Sequence, residues 1–385
     1  MKSAIENQVT DSAAQRLVSL DILRGIDMMF LVALQPVVYR FLRAWGCEEG
    51  TAGWAVMQQL SHVPWEGFSL YDLIMPLFMF MSGITIPFSM AKYKTGRATV
   101  DRHFYGRVLK RFVVLWVVGM VVQGNLLALD PHQLKLFSNT LQSIAVGYIV
   151  VAFLYVFTSL KTQLWVVSAC FLTFIAVFAL FGGMDFAEGS NICERIDRFV
   201  LGHFQDGVSW REGQYVVSPT YHYTWILSSL NFIVTVYLGC LSGYILRAEA
   251  TDLTKFKRLM GWGSLLVIIA LAMSPFIPII KHIWSSSMTL FAGGLCFLLM
   301  GLSFYLFDMR GLTRGFGWLR YFGMNSLVAY FLGEYVNFSS IVDSFCYGLR
   351  PIVGDYYGVI HALGVGVIIF LVLRWMHRHG YFIRA

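Results

Sequence analysis

Charge is the first thing this chain lacks. Asp, Glu, Lys and Arg make up 13% of its 385 residues, where a soluble globular domain carries roughly 25%, and 57% of the residues are hydrophobic. A soluble protein so composed would expose large apolar patches and aggregate. Metal-site spacing is missing too: the six cysteines form no CxxC pair and fall in no His-rich cluster, which argues against a zinc site. No Walker, GxSxG, HExxH or dinucleotide fingerprint occurs in a usable context, and there is no repeat, low-complexity run or soluble domain. The first apolar stretch is followed by no small-residue cleavage site, so it reads as a membrane helix retained in the mature protein.

What remains is an all-α integral membrane protein. Aromatic residues at 16% fit, because Trp and Tyr collect at membrane interfaces. The net charge of +7 reads as cytoplasmic loop bias, with no nucleic-acid partner needed to explain it. About ten stretches can cross a core of roughly 30 Å: 18–39, 68–91, 107–127, 140–158, 163–183, 225–246, 258–279, 286–307, 316–336 and 356–376. Basic residues concentrate in alternate connections. Lys92, Lys94, Arg97, Arg102, Arg107, Lys110 and Arg111 form one group, and Arg247, Lys255, Lys257 and Arg258 a second. Arg310, Arg314 and Arg320 form a third, and the tail carries Arg374, Arg378 and Arg384. An even number of crossings with both termini cytoplasmic puts every group on the inner side of the membrane.

This predicts one transmembrane domain over 1–385, with the outer-facing loops 40–67 and 184–224 capping a site. Thr51 to Leu60 in the first loop fits a short helix lying in the interface. Cys47, Cys193 and Cys346 would face the oxidising side, where one disulfide among them stays open.

Candidate chemistry sits near the ends of the spans. Asp21 and Arg24 are three apart on the first helix and can pair on one face. His62 lies just outside the second span and Asp72 within it, with Glu66 between them and Pro76 expected to kink the helix. A histidine can take up and return a proton near neutral pH, as acyl transfer requires, or simply anchor a helix at the interface. An ionisable group within a span is a functional candidate by default, although Asp72 could equally serve as a helix-to-helix hydrogen-bond partner. Further polar residues recur on the outer side: Gln35, the turn with Lys281, Trp284, Ser285 and Ser287, then Asn325 within the ninth span and Glu334 at its end. They suggest a polar pocket. The basic loop 92–111 could hold the phosphates of a nucleotide cofactor.

Several of these residues fall into ordered motifs. Arg16-Leu-x-Ser-x-Asp21-x-x-Arg24-Gly25, His62-x-x-Trp65-x-Gly67 and Asp72-Leu-x-x-Pro76-x-Phe-x-Phe come first. Leu141-Gln142, Lys281-x-x-Trp284-Ser285-x-Ser287, Gly323-Met324-Asn325-Ser326 and Arg378-x-Gly380-x-Phe follow. In this order they resemble heparan-α-glucosaminide N-acetyltransferase and its bacterial relatives, from residue 16 to the end. The resemblance implies a multi-helix membrane fold that moves acetyl from cytoplasmic acetyl-CoA to a glucosamine amine across the membrane. For a bacterial chain this implies the inner membrane, with lipid around it, an amino-sugar or glycan acceptor and a homodimer.

The family's active-site histidine falls on His62. Asp72 or Glu66 would then orient it as general base, and Gln35, Ser285 or Asn325 would stabilise the oxyanion. Lys281, Trp284, Ser287 and Glu334 would complete the acceptor pocket. Arg24, Arg107, Lys110 and Arg111 would meet the cofactor, and no metal is implied. Direct transfer and an acetyl-histidine route both stay open. The chain departs from the family at Gln35, Ser143 and Gly333 and over Ser218 to Trp225. Close bacterial members are also labelled N-acetylglucosamine-related transporters. The alternative reading is therefore an inner-membrane amino-sugar transporter using the same pocket.

Overall fold

The computed structural model describes residues 17–218 and 223–383. Arg16, Arg384 and the stretch from Pro219 to His222, which figure in the motifs above, lie outside the described residues. The first span runs as α1 (Val18–Met29), a π-helical turn (Phe30–Leu34) and α2 (Gln35–Ala44). After it come α3 (Ala52–Gln59), a 3-10 turn (Leu70–Leu73), α4 (Ile74–Lys94), α5 (Arg102–Val122), α6 (Thr140–Phe157) and α7 (Leu160–Phe181). A small layer at one end of the bundle holds α8 (Ile192–Leu201) and a hairpin of β1 (Val208–Arg211) and β2 (Gln214–Val217). The chain then returns through α9 (Ser228–Arg247), α10 (Asp252–Met273) and α11 (Ser286–Ser303), which ends in a second π-helical turn (Phe304–Met309). It finishes with α12 (Leu319–Met324), α13 (Ser326–Glu334), α14 (Ser339–Cys346), α15 (Arg350–Val353) and α16 (Tyr357–Arg378).

The protein is thus an all-α membrane protein with one two-stranded hairpin. Among the described residues, eight segments are long and apolar enough to cross a membrane, against the ten expected. The two that differ do so for separate reasons. Helix α5 has 21 residues, enough to cross, but Arg107, Lys110 and Arg111 interrupt its apolar run. It still lies antiparallel along α6: Phe104 meets Phe153 and Phe157, and Gly119 packs against Asn139 and Gln142. The segment expected at 316–336 is broken at Asn325 into α12 and α13. Two other expectations also shift. Helix α2 continues to Ala44, so the first outer loop begins later than residue 40. Pro76 falls in the first turn of α4, where its missing N–H is no loss, and Pro87 is the proline inside that helix.

Without a hydrophobic drive between helices in lipid, close backbone approach has to hold the bundle together, and small residues permit it. Helices α4 and α9 cross where Gly83 faces the Val236 carbonyl and Gly239 faces the Phe80 carbonyl. A Cβ on either glycine would land 1.9 Å from that oxygen. Helices α1 and α12 repeat the device: a Cβ on Gly25 would meet the Leu319 carbonyl at 2.1 Å, and one on Gly323 the Asp21 carbonyl at 2.0 Å. Two glycines of the ordered motifs are therefore one helix crossing. At the far end of the bundle, Asp308 accepts from the backbone N–H groups of Val18 and Ser19 and so fixes the start of α1.

This end layer is tied down by polar groups. Buried Asp197 of α8 accepts from the backbone N–H groups of Trp225 at 2.6 Å and Ile226 at 2.9 Å, just ahead of α9. Glu212 and Gly213 make the hairpin turn with φ of 49° and 81°, the primed geometry that matches strand twist. All six cysteines are free, so the possible outer disulfide does not form.

Candidate active site

Two connecting segments far apart in sequence zip together over α4. Gly67 donates its N–H to the Ile279 carbonyl at 2.8 Å, and Glu66 and Ile280 form an isolated antiparallel bridge. On the first strand of this pair, Ser69 and Asp72 make a reciprocal capping box that starts the helix. The box aims the Asp72 carboxylate back at the segment carrying His62. On the second strand, a tight turn closed by Trp284 N–H to the Lys281 carbonyl presents Lys281.

The three side chains meet there. His62 Nδ1 lies 2.7 Å from Asp72 Oδ1, and Lys281 Nζ lies 3.1 Å from the same oxygen. Lys281 Nζ is also 3.1 Å from His62 Nδ1. A carboxylate can only accept, so Nδ1 carries the imidazole proton and Nε2 is left as a base. Asp72 also accepts from the Ser69 N–H at 3.1 Å. Its side chain is 1% exposed and that of Lys281 5%, whereas 45% of His62 remains open. The cluster therefore buries a compensated ion pair and leaves the imidazole as its most exposed member. Burial pushes the His62 pKa below its ordinary 6.5, against the pull of the Asp72 hydrogen bond, and the Lys281 charge adds to the depression. The lowered pKa favours the neutral ring. Burial likewise lowers the Lys281 ammonium, opposed by Asp72.

His62 and Lys281 open into a cavity of about 940 Å³ that is also lined by Tyr71, Tyr223 and Glu334. The Tyr71 ring sits 4.6 Å from the imidazole. Over this end, His282 stacks on Trp65 at 5.3 Å and meets Tyr223 at 4.2 Å. The cavity then follows α4 from Ile74 to Ser89, about 22 Å at 1.5 Å per residue. Its middle is apolar, with Leu31, Phe78, Leu115 and Ile144 on the wall. At the other end the lining turns polar again, with Asp21, Arg24, Ser82, Ser89 and Arg111. Arg111 donates to the Ser82 hydroxyl at 3.2 Å and lies 3.9 Å over the Tyr148 ring. Its Nε is buried with no hydrogen-bond partner, and among the described residues no carboxylate pairs with it. That guanidinium is suited to an anion.

The remaining candidates divide clearly. Glu334, Arg24 and Arg111 reach the cavity with His62 and Lys281. Glu66 is exposed and joins through its backbone. Gln35 donates to the Leu60 carbonyl at 2.8 Å, fixing the chain just before His62. Ser285 and Ser287 both donate to the Pro278 carbonyl, and Ser285 also caps α11. Trp284 holds a positive φ of 50°, with its indole on Thr235 and its carbonyl on Asn231. These groups are the frame that aims Lys281. Asn325 binds the tail through the Tyr381 carbonyl and the Ile383 N–H. Arg107 lies over Tyr93 and Lys110 is exposed, and neither lines the cavity.

Sequence reasoning missed Tyr71 and Tyr223. Tyr71 carried a signal in its position beside Asp72. Tyr223 carried none, because it lies in the stretch that departs from the family.

No family model matches the chain. It is similar to heparan-α-glucosaminide N-acetyltransferase of Mus musculus, 24% identical over 370 residues, which are 83% of this chain and 53% of that protein. The Homo sapiens protein of the same name is 26% identical over 371 residues, 82% of this chain and 52% of that protein. The chain spans about half the length of the curated relatives it matches. On this likeness, and on the ordered motifs that run through its bundle, the chain is a distant relative of the heparan-α-glucosaminide N-acetyltransferases.

Proposed function

We propose that the chain is a membrane acetyltransferase that takes acetyl from acetyl-CoA at the Arg111 end of the cavity. The acetyl goes to an amino-sugar or glycan acceptor at the His62 end. The observation that carries this reading is one cavity that joins an oriented imidazole to a guanidinium with no carboxylate partner among the described residues. The basic connections favour a cytoplasmic Arg111 end, which matches a cytoplasmic donor.

Arg111 and Arg24 would take the donor's phosphates, and the apolar middle would admit its long arm. His62 Nε2 accepts a proton from the acceptor nitrogen or hydroxyl as that atom bonds to the acetyl carbonyl carbon. The carbon–sulfur bond then breaks, and the leaving thiolate recovers the proton from His62. Asp72 fixes the ring through Nδ1 and stabilises the imidazolium that forms in passing. Lys281 and Tyr71 are the donors beside His62 that can meet the developing oxyanion, since Gln35, Ser285 and Asn325 spend their polar groups on backbone partners. Glu334 faces the cavity and suits a cationic amine.

The test is transfer of radiolabelled acetyl from acetyl-CoA to glucosamine by the full chain in proteoliposomes. Wild-type transfer with its loss in His62→Ala is the expected result. Sugar uptake independent of coenzyme A, with no labelled product, would overturn the enzyme reading in favour of a transporter.

A further inference from the structure

When the acceptor is an amine, the transfer described above leaves one proton without a carrier. An amine with electron-withdrawing neighbours, like a chain's α-amino group, has a pKa of roughly 7.7–8.0. At pH 7 about nine such molecules in ten are ammonium ions with no lone pair. The balanced reaction is ammonium plus acetyl thioester giving amide, thiol and one free proton. His62 takes one proton from the nitrogen and returns it to the thiolate. The proton that made the acceptor an ammonium has to leave before the nitrogen can attack, and one imidazole nitrogen cannot carry both.

Glu334 is placed for that proton. Among the described residues, Asp21 and Glu334 are the carboxylates on the cavity wall, and Asp21 lies at the Arg111 end. Asp72 is already committed to His62 and Lys281. Leu327, Tyr330 and Glu334 line the cavity at spacings of three and four, so one face of α13 runs along it and ends at Glu334. That face is fixed at two points. The Asn139 amide donates to the Tyr330 hydroxyl at 3.0 Å, and Gly333 packs against Val32 in the π-helical turn of the first span. The Glu334 charge acts on Tyr71, whose ring is 4.6 Å from the His62 imidazole. Among the described residues, no hydrogen bond or ion pair occupies the Glu334 carboxylate, and the residue is exposed. It is open to whatever enters.

We propose that Glu334 is a second base, which removes the surplus proton from an ammonium acceptor and passes it to water. The step breaks one N–H bond of the ammonium and forms an O–H bond on the carboxylate. The nitrogen keeps the electron pair with which it then attacks the acetyl carbon, while His62 handles the proton exchanged with the thiolate. The inference rests on the acetyltransferase reading above and divides its proton traffic between two residues. A hydroxyl acceptor carries no surplus proton and has no use for Glu334.

The test follows kcat/KM for glucosamine from about pH 6.5 to about pH 9 in the full detergent-solubilised chain, at saturating acetyl-CoA, for wild type and Glu334→Gln. Titration of His62 is common to both and cancels in their ratio. The wild type is expected to exceed the variant by about tenfold at pH 7, and the two to converge at the alkaline end, where the acceptor arrives as free amine. Glu334→Asp, which keeps the carboxylate, is expected to restore part of the neutral-pH rate. Calorimetry at pH 7 supplies a readout without transfer: wild type should bind glucosamine more tightly than glucose, and Glu334→Gln should bind both alike. A loss of the same size at every pH would mark a merely structural role and overturn the proposal. Equal rates for wild type and variant at pH 7 would overturn it too. In both cases an active wild type leaves the acetyltransferase reading standing, whereas no transfer by the wild type at any pH would overturn that reading and the proposal with it.

Discussion

The two ends of the cavity treat charge in opposite ways. At the His62 end, Asp72 and Lys281 compensate one another inside protein and leave a neutral ring as the open group. At the other end, Arg111 keeps its charge against a ring and a hydroxyl, with one nitrogen unpartnered. Burying charge is costly unless it is paired, so the first arrangement fixes geometry for proton transfer. The second leaves attraction available for an anion to use. The asymmetry suits the two ends to different roles.

That contrast can be broken at either end. The largest effect is expected from His62→Ala, which should lower acetyl transfer by about 10²–10⁴ at saturating donor, read as kcat. Asp72→Asn should also destabilise the protein by about 3–5 kcal/mol, because buried Lys281 loses its counter-charge. A thermal melt in detergent would register this, and the double variant Asp72→Asn with Lys281→Met should recover much of the lost stability. No recovery would mean that the two side chains are not coupled. At the opposite end, Arg111→Ala should raise the acetyl-CoA KM by about 10- to 100-fold with a smaller change in kcat. A kcat loss with KM unchanged would contradict the separation of roles.

Acidity offers a finer probe. The base must be unprotonated, so kcat/KM should be flat at neutral pH and fall on the acid side, with a midpoint below 6.5. Lys281→Met removes a positive neighbour, makes the imidazole easier to protonate and should move that midpoint upward. The smallest effect is expected from Glu66→Gln. Its side chain is exposed and its backbone makes the bridge, so activity should stay within about twofold.

Much of the bundle was legible because its signals are local. Apolar length marked most of the spans, and the placement of His62 beside Asp72 followed from a ten-residue separation across a helix start. What the sequence obscured was long-range. Lys281 reaches Asp72 across 209 positions, and only the pairing of Glu66 with Ile280 brings them together. The motif residues Trp284, Ser285 and Ser287 looked like pocket groups because they are polar or aromatic and lie at the right depth. Their hydrogen bonds go instead to the turn that aims Lys281. Gly25 and Gly323 give the same lesson, since their shared constraint is a helix crossing and not a reaction. Helix α5 was expected over 107–127 and forms over Arg102–Val122, but nothing in its sequence singled out Arg111, among its four Lys and Arg residues, as the one that lines the cavity.

The central claim is that the donor and acceptor ends belong to one cavity and one reaction. Proteoliposomes with acetyl-CoA on one side and glucosamine on the other test it most directly. Labelled N-acetylglucosamine should appear on the acceptor side and be lost in His62→Ala. Product formed only when both substrates share a side, or formed equally without His62, would contradict the claim.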